Sequence, residues 1–291
     1  MPPRQGSRDE ELRASTVPAA LIAGVLAAAL DQGFDRPTLT RAAALAEAEL
    51  ADPTVRLPLS RYCDLWDAIA HDPRGDAFAV SLGTHVRIAA LGVVGYVMQH
   101  AATVREAYAS FSRFSRLVND RIAPEIEEQA DAIVFHRRLP ERVVRNRPMC
   151  VAGPLTTVPI VRDLAGLAPD QAVAVDVELP CAAPGDPRDI ERAYGCRVRF
   201  GAEEAVLQLR REVFDLPVRR HDPALFHYLS RHAEELARAV PDSQRLSDRV
   251  RALLLARLDD GAPAAAEVAR ALATSERSLH RRLAEEGTTF G

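Results

Sequence analysis

The chain has 291 residues, of which 47% are hydrophobic and 27% are charged, and its formal net charge is -4. This length and composition exclude global disorder and favour a folded protein of two domains. No apolar run reaches the roughly 20 residues that a bilayer-spanning helix needs, so we expect a cytoplasmic protein without membrane contact. The negative net charge excludes general attraction to nucleic acid, so any DNA contact must come from a local patch.

The N-terminal part is predicted to begin with a flexible tail over residues 1–16, which are mostly polar. Helical spacing of apolar residues follows. Thr103 is placed as an N-cap with Glu106 three residues later, the pattern of a capping box. The helices predicted from this spacing cover 17 to Gly33, 41–50, 59–71, and a short and a long segment within 92–119.

Alternating apolar and polar residues over 121–129 and 132–139 predict a β-hairpin. The pattern that follows mixes short helices and strands, so residues 17–216 are predicted to form an α+β domain. The further predicted elements are a helix over 145–164 interrupted by Pro148, Pro154 and Pro159, a strand over 172–179 with Val173, Val175 and Val177 on one side, a helix over 189–194 ending at Gly195, and strands over 198–200 and 205–209.

Beyond Pro217 the pattern is helical throughout, which predicts an all-α region after the α+β domain. Asp222 and Pro223 are typical of a helix start, and that helix is expected to run to Val240. A second helix is predicted over 243–258, with a break at 259–263. We interpret the organisation as a tail (1–16), an effector-binding and dimerisation domain (17–216), a linker helix (217–242) and a partial DNA-binding domain (243–291).

Two short helices are predicted near the C-terminus, and the second one carries the basic residues of interest. Val268, Ala269 and Leu272 form an apolar face on the first helix, and Ser275 is placed to cap the second. Leu279 and Leu283 would point into the core, which leaves other faces to Arg277, His280, Arg281 and Arg282. This arrangement suits a helix-turn-helix that reads the major groove of DNA, or a plain helical hairpin with a solvated charged face.

The order Ser275-x-Arg277-x-Leu279-x-Arg281-x-Leu283, followed by Glu286-Gly287-Thr288-Thr289-Phe290, resembles the first helix-turn-helix of AraC/XylS-type transcription regulators. The N-terminal part is similar to the ligand-binding domain that one branch of this family names after arabinose binding. The segments that carry this second similarity are Gly92-x-x-Gly95-Tyr96, 103–107, Asp215-Leu216-Pro217 and Asp222-Pro223.

The resemblance implies an effector-responsive, sequence-specific DNA-binding regulator that is not an enzyme and needs no cofactor. Arg277, His280 and Arg281 would read bases, while Ser275 and Arg282 would contact phosphates. The implied partners are DNA, a small-molecule effector and a second copy in a homodimer, with RNA polymerase as a further candidate.

Two features depart from the family pattern. Ala273 stands where the family usually has glycine, which would strain a turn that needs positive φ. A linker helix and a second helix-turn-helix normally follow in this family, whereas the sequence stops at Gly291, so the DNA-binding part is expected to be incomplete and weak in binding. The alternative is a truncated ligand-binding and dimerisation module that binds no DNA productively and acts through partner subunits.

The candidates for effector binding are aromatic and polar side chains near the point in the sequence where the predicted helices are followed by the predicted hairpin. They are Tyr96, His100, Phe111, Phe114 and Arg137. Packing in the hydrophobic core is the alternative role for the aromatic members. The four cysteines lack metal-ligand spacing, so we expect no metal site and interpret them as buried free thiols.

Overall fold

The computed structural model describes residues 15–52, 55–119, 124–239, 246, 250, 264–272, 274–285 and 288–290. Contacts divide the chain into two compact units, Met1–Pro241 and Asp242–Gly291. Most of the predicted tail and the predicted break at 259–263 lie outside the described residues. In the described ranges no helix combines the length and apolarity needed to cross a bilayer.

The first unit starts with helices packed around a two-stranded antiparallel ribbon. An aromatic group of Phe34, Trp66 and Phe78 forms the centre of this helical core, with Phe34 and Phe78 ring centroids 5.3 Å apart. The ribbon strands are β1 (Thr16–Pro18) and β2 (Arg56–Pro58), and the helices are α1 (Ala19–Asp31), α2 (Arg36–Ala42), α3 (Glu47–Ala51), α4 (Leu59–Ala70) and α5 (Gly75–His85).

The prediction of a single helix over 41–50 was wrong, since the chain forms the two helices α2 and α3 there. Ala44 separates them with a left-handed φ of 50°. Arg61 on α4 donates hydrogen bonds to the carbonyl groups of Ala43, at 3.0 Å, and Ala44. The guanidinium also pairs with Glu49 on α3, so a side chain distant in sequence stabilises this break. The sequence reasoning also missed α5 entirely.

The two helices expected within 92–119 are present as α6 (Val93–His100) and α7 (Val104–Val118), after a 3-10 turn over Ile88–Leu91. Thr103 caps α7 as predicted, because its hydroxyl accepts a hydrogen bond from the Glu106 N–H at 3.2 Å. Gly92 precedes α6 with a φ of 61°, a conformation that favours glycine.

A five-stranded sheet forms the second layer of this unit, in the order β3-β4-β7-β5-β6. Its strands are β3 (Glu125–Glu128), β4 (Ala132–Arg137), β5 (Ala174–Leu179), β6 (Val198–Phe200) and β7 (Ala205–Arg210). The predicted hairpin is confirmed by the antiparallel pairing of β3 with β4, although residues 121–123 lie outside the described part. β5 pairs antiparallel with β7 and parallel with β6.

One prediction about β5 was wrong. Val173, Val175 and Val177 do not share a face, because Val173 and Val177 are buried while Val175 is 50% exposed. The pairing of β5 with β7 shifts between Ala174 and Asp176, and this irregularity changes the phase of the alternation.

Helices between and after the strands cover the sheet. The proline-interrupted segment expected over 145–164 is present as separate helices, with Pro154 tolerated inside one of them. Gly195 ends the helix predicted over 189–194 with a φ of 79°. These helices are α8 (Glu141–Arg145), α9 (Arg147–Leu155), α10 (Thr157–Ala165), α11 (Arg188–Tyr194) and α12 (Arg211–Phe214).

Helix α13 (Pro223–Ala239) closes the first unit and packs against α6 and α7. Asp222 caps it as predicted, since its carboxylate accepts hydrogen bonds from the N–H groups of Ala224 and Leu225, both at 3.0 Å. The second unit contains α14 (Ala265–Ala271) and α15 (Glu276–Glu285). Of the helix predicted over 243–258, only Leu246 and Val250 are described, and both are helical and buried. The chain is thus an α+β domain followed by an all-α region.

Candidate functional sites

The second unit is held together by a small apolar core between α14 and α15. Val268 and Ala269 of α14 are buried against Leu279 and Leu283 of α15, which are also buried. The turn between the helices is closed by a hydrogen bond from the Thr274 N–H to the Ala269 carbonyl at 2.9 Å. The predicted division of α15 into a core face and an outer face is therefore confirmed.

Ser275 forms the N-cap of α15, as its position in the sequence predicted. Its hydroxyl oxygen accepts a hydrogen bond from the Ser278 N–H at 3.2 Å and donates one to the Ser278 hydroxyl at 2.9 Å. The Ser275 carbonyl accepts the first helical bond, from the Leu279 N–H at 2.8 Å. This cap fixes where the helix begins and where its amino end faces solvent.

The outer side of α15 carries exposed basic residues. Arg277, His280 and Arg281 lie at helical spacings of three and four, so they share one side of the helix, and Arg282 is exposed beside them. The His280 ring contacts Phe290 edge-on, with centroids 6.3 Å apart and planes at 76°. Phe290 therefore limits the orientations of His280. Glu286 and Gly287, which belong to the motif, and Ala273, which departs from the family pattern, lie outside the described residues.

The five effector candidates do not converge on one point. Phe114 is buried in the core, and Tyr96 is exposed at the surface of α6. His100 lies one turn after Tyr96, and its ring Nδ1 is 2.9 Å from the Arg220 carbonyl oxygen just before α13. Phe111 and Arg137 are the two that approach a common neighbour.

That common neighbour is Tyr108 on α7. Its ring lies 6.2 Å from that of Phe111, and its hydroxyl donates a hydrogen bond to the Thr157 carbonyl at 3.4 Å. Arg137, the last residue of β4, donates to the Thr157 hydroxyl at 3.2 Å. The guanidinium and the phenol thus meet at Thr157, the first residue of α10.

Burial governs the electrostatics of this cluster. It lowers the pKa of the Arg137 guanidinium and raises the pKa of the Tyr108 hydroxyl. Tyr194, whose hydroxyl donates to the Val151 carbonyl at 3.1 Å, is near enough to act electrostatically on Arg137. The cluster offers hydrogen-bond donors and one positive charge in a partly desolvated setting.

Comparison with known families decides the classification. The sequence profile described as the arabinose-binding domain of AraC transcription regulators, N-terminal, matches residues 33–218. The chain belongs to this family. The matched segment is more than half of the chain and contains the Arg137 cluster.

Relatives of this AraC-family chain are regulators by name. It is 27% identical over 286 residues to the ornithine utilization regulator of Pseudomonas aeruginosa, a match that spans 95% of this chain and 81% of that protein. A crystal structure of the transcriptional regulator CdpR from Pseudomonas aeruginosa has 23% identity and a TM-score of 0.47, covering 88% of this chain and 81% of that one. The family assignment makes this AraC-type chain a transcription regulator with an N-terminal ligand-binding domain.

The sequence reasoning missed Tyr108, Thr157 and Tyr194. A signal existed for Tyr108, since it precedes Phe111 by three residues in a predicted helix and so lies on the same side. Thr157 and Tyr194 come from separate helices, and no local pattern places them near β4. Their proximity arises only when the helices cover the sheet.

Proposed function

We propose that this AraC-type regulator is effector-responsive and binds DNA sequence-specifically, with α15 as its recognition helix. The observation that carries the proposal is the division of this helix. Leu279 and Leu283 anchor one face, while Arg277 is exposed on another. An arginine can donate two hydrogen bonds to guanine O6 and N7 together, which suits base reading in the major groove.

The remaining residues of the proposed interface supply orientation. His280 and Arg281 are proposed to read bases beside Arg277, and Arg282 is proposed to contact a phosphate. Ser275 lies at the amino end of α15, where free N–H groups and the helix dipole favour an anion. A phosphate at that end would set the register of the helix on the duplex.

The test is to select duplexes from a random DNA pool with the full chain and then measure affinity at several salt concentrations. Arg277→Ala or Arg281→Ala is expected to weaken the selected complex roughly 5- to 150-fold, since a bidentate base contact is worth about 1–3 kcal/mol. Arg282→Ala should instead weaken all sequences equally and reduce the salt slope by about 1. Arg270→Ala, an exposed arginine on α14, is the matched control and should retain sequence preference.

Two outcomes would contradict the proposal. One is selection of a sequence whose affinity is unchanged in the Arg277→Ala and Arg281→Ala variants. The other is the absence of any sequence-specific complex at physiological salt, which would favour a ligand-binding and dimerisation module that acts through partner subunits.

Self-association is proposed to use the outer side of α13. Four large apolar side chains are exposed there or on the adjoining α6: Tyr96 (48%), Leu225 (38%), Tyr228 (68%) and Leu236 (40%). The α13 members fall near one stripe of the helix. Arg231 and Glu235 are exposed on the same helix, so two copies related by a two-fold axis can pair apolar surface and opposite charges.

Sedimentation of the full chain tests this surface. Tyr228→Glu is expected to shift a dimer towards monomer at equal protein concentration, because it places a charge in the proposed apolar contact. Val175→Glu, at an exposed position on the sheet, is the matched control and should leave the mass unchanged. An unaltered mass in the Tyr228→Glu variant would refute this surface.

In the proposed cycle, the effector favours one arrangement of the dimer, and RNA polymerase is a proposed downstream partner.

A further inference from the structure

Three partly buried arginines in the first unit are paired with carboxylates, whereas Arg137, like Arg162 with the Gln171 carbonyl, has a neutral hydrogen-bond partner. The paired ones are Arg61 with Glu49, Arg142 with Asp67 and Arg147 with Asp76, at nitrogen–oxygen distances of 2.8, 2.7 and 2.6 Å. Among the residues that the structure describes, Arg137 has no carboxylate oxygen within 4 Å, and its hydrogen bond goes to the neutral Thr157 hydroxyl. A guanidinium carries more N–H donors than this one bond uses.

The surroundings of Arg137 make this lack of a counter-charge costly. Tyr108, Phe135 and Phe214 form a buried aromatic group beside it, with Tyr108 and Phe135 ring centroids 5.1 Å apart. Burial in this setting disfavours the charged guanidinium. A partly buried cation without an anionic partner loses part of its hydration, and an anion placed beside it would supply a compensating interaction.

We propose that Arg137 binds the anionic group of the effector and that the effector is a small carboxylic acid. A carboxylate matches the planar guanidinium and can accept two parallel hydrogen bonds from it. The Thr157 hydroxyl, which accepts from Arg137, has a proton of its own to donate to the same carboxylate. This inference rests on the proposed function, because it assigns a ligand class to the effector domain.

Tyr108 and Tyr194 have different roles in this site. The Tyr108 hydroxyl bonds to the Thr157 carbonyl at 3.4 Å, a long distance for an O–H donor, so little is lost when it turns towards a ligand. The Tyr194 hydroxyl already donates to the Val151 carbonyl at 3.1 Å, so its role is to pack beside the cluster. The neutral phenols leave the positive charge of Arg137 uncompensated until the acid binds.

The first experiment measures thermal unfolding of the full chain without DNA, at constant ionic strength set with chloride. The probes are acetate and benzoate, their neutral counterparts acetamide and benzamide, and inorganic phosphate. At saturating carboxylate, Tm of the unmodified chain is expected to rise by about 2–4 °C, and the amides are expected to have no effect. In Arg137→Met the carboxylate shift should disappear, with apparent affinity reduced roughly tenfold to a hundredfold.

Other outcomes of this titration overturn the inference. These are equal shifts in the unmodified chain and in Arg137→Met, equal shifts with carboxylates and amides, a response to phosphate alone, and no response to any anion. Arg137→Gln is the second variant, since it keeps a donor for Thr157 without the charge, and it should lose the carboxylate response as Arg137→Met does.

A matched pair of variants separates an anion site from a structural arginine. Without added anions, Arg137→Met should leave Tm unchanged or raise it, because no ion pair is lost. Arg142→Met should lower it, because Asp64 and Asp67 both lose the guanidinium that they share. A fall of Tm in Arg137→Met as large as that in Arg142→Met would assign Arg137 a structural role and overturn the inference.

Failure of this inference is distinguishable from failure of the proposed function. Carboxylate binding is measured without DNA, and sequence selection is measured without carboxylate. Selective DNA binding by a chain that ignores carboxylates would remove only the ligand assignment. A carboxylate response in a chain that selects no DNA sequence would remove only the proposed recognition role of α15.

Discussion

Gly95 on α6 lies where no other residue has room. A Cβ atom at this position would be 2.0 Å from the Ile88 carbonyl oxygen and 2.9 Å from its carbonyl carbon. Both atoms belong to backbone of the 3-10 turn that precedes α6, so no side-chain rotation relieves the contact. Gly153 on α9 is the matched case, because a Cβ there would meet nothing within 4 Å.

Helix propensity alone predicts the same result for both glycines. Replacing a glycine by alanine within a helix stabilises the folded protein by about 0.5–1 kcal/mol. At Gly95 the collision opposes this gain, and overpacking against a fixed backbone costs about 1–3 kcal/mol or more. We therefore expect Gly95→Ala to destabilise the first unit by about 2 kcal/mol, and Gly153→Ala to stabilise it by up to about 1 kcal/mol.

Thermal unfolding of the full chain, followed by far-UV circular dichroism, measures both changes. For a unit of this size, Tm should fall by about 4–8 °C in Gly95→Ala and rise by about 1–4 °C in Gly153→Ala. The reasoning is refuted if Gly95→Ala unfolds at or above the temperature of the unmodified chain. A fall in Gly153→Ala as large as that in Gly95→Ala would equally contradict it, since the contact would then not be the cause.

Ser275→Ala should destabilise α15 by about 1 kcal/mol, which is measured as a lower unfolding temperature of the second unit. Ser275→Asn should retain the cap. Equal losses of stability in the two variants would contradict the capping role of Ser275. The Arg61 guanidinium and the Ala46 N–H lower the pKa of Glu49 from 4.5 to about 2. Because this folded-state pKa lies below the unfolded value, the stabilisation is complete above the unfolded value and is lost as pH falls towards 2. Acid titration of Glu49→Gln should accordingly show a shallower loss of stability than the unmodified chain, and identical curves would refute the contribution. Burial raises the pKa of Cys63 to about 12 and that of Cys196 to about 11. Thiol labelling mapped by mass spectrometry should therefore modify the half-buried Cys196 first and the buried Cys63 only on unfolding. Early labelling of Cys63 would contradict its burial.

The features that the sequence determined by itself depend on residues close together in the chain. The caps at Thr103, Asp222 and Ser275 each join a side chain to an N–H two or three residues later, so their spacing is visible without the fold. The burial of Leu279 and Leu283 follows equally from helical periodicity. The α+β order and the outer face of α15 could be predicted for this reason.

Only the tertiary structure decided the features that join distant segments. Arg61 stabilises the break at Ala44 from a different helix, and the irregular pairing of β5 with β7 exposes Val175. The approach of Arg137 to Thr157 depends on how α10 lies against the end of β4. Such contacts form only when separate elements pack together, so the effector-site cluster was only partly predictable while the capped helices were predictable.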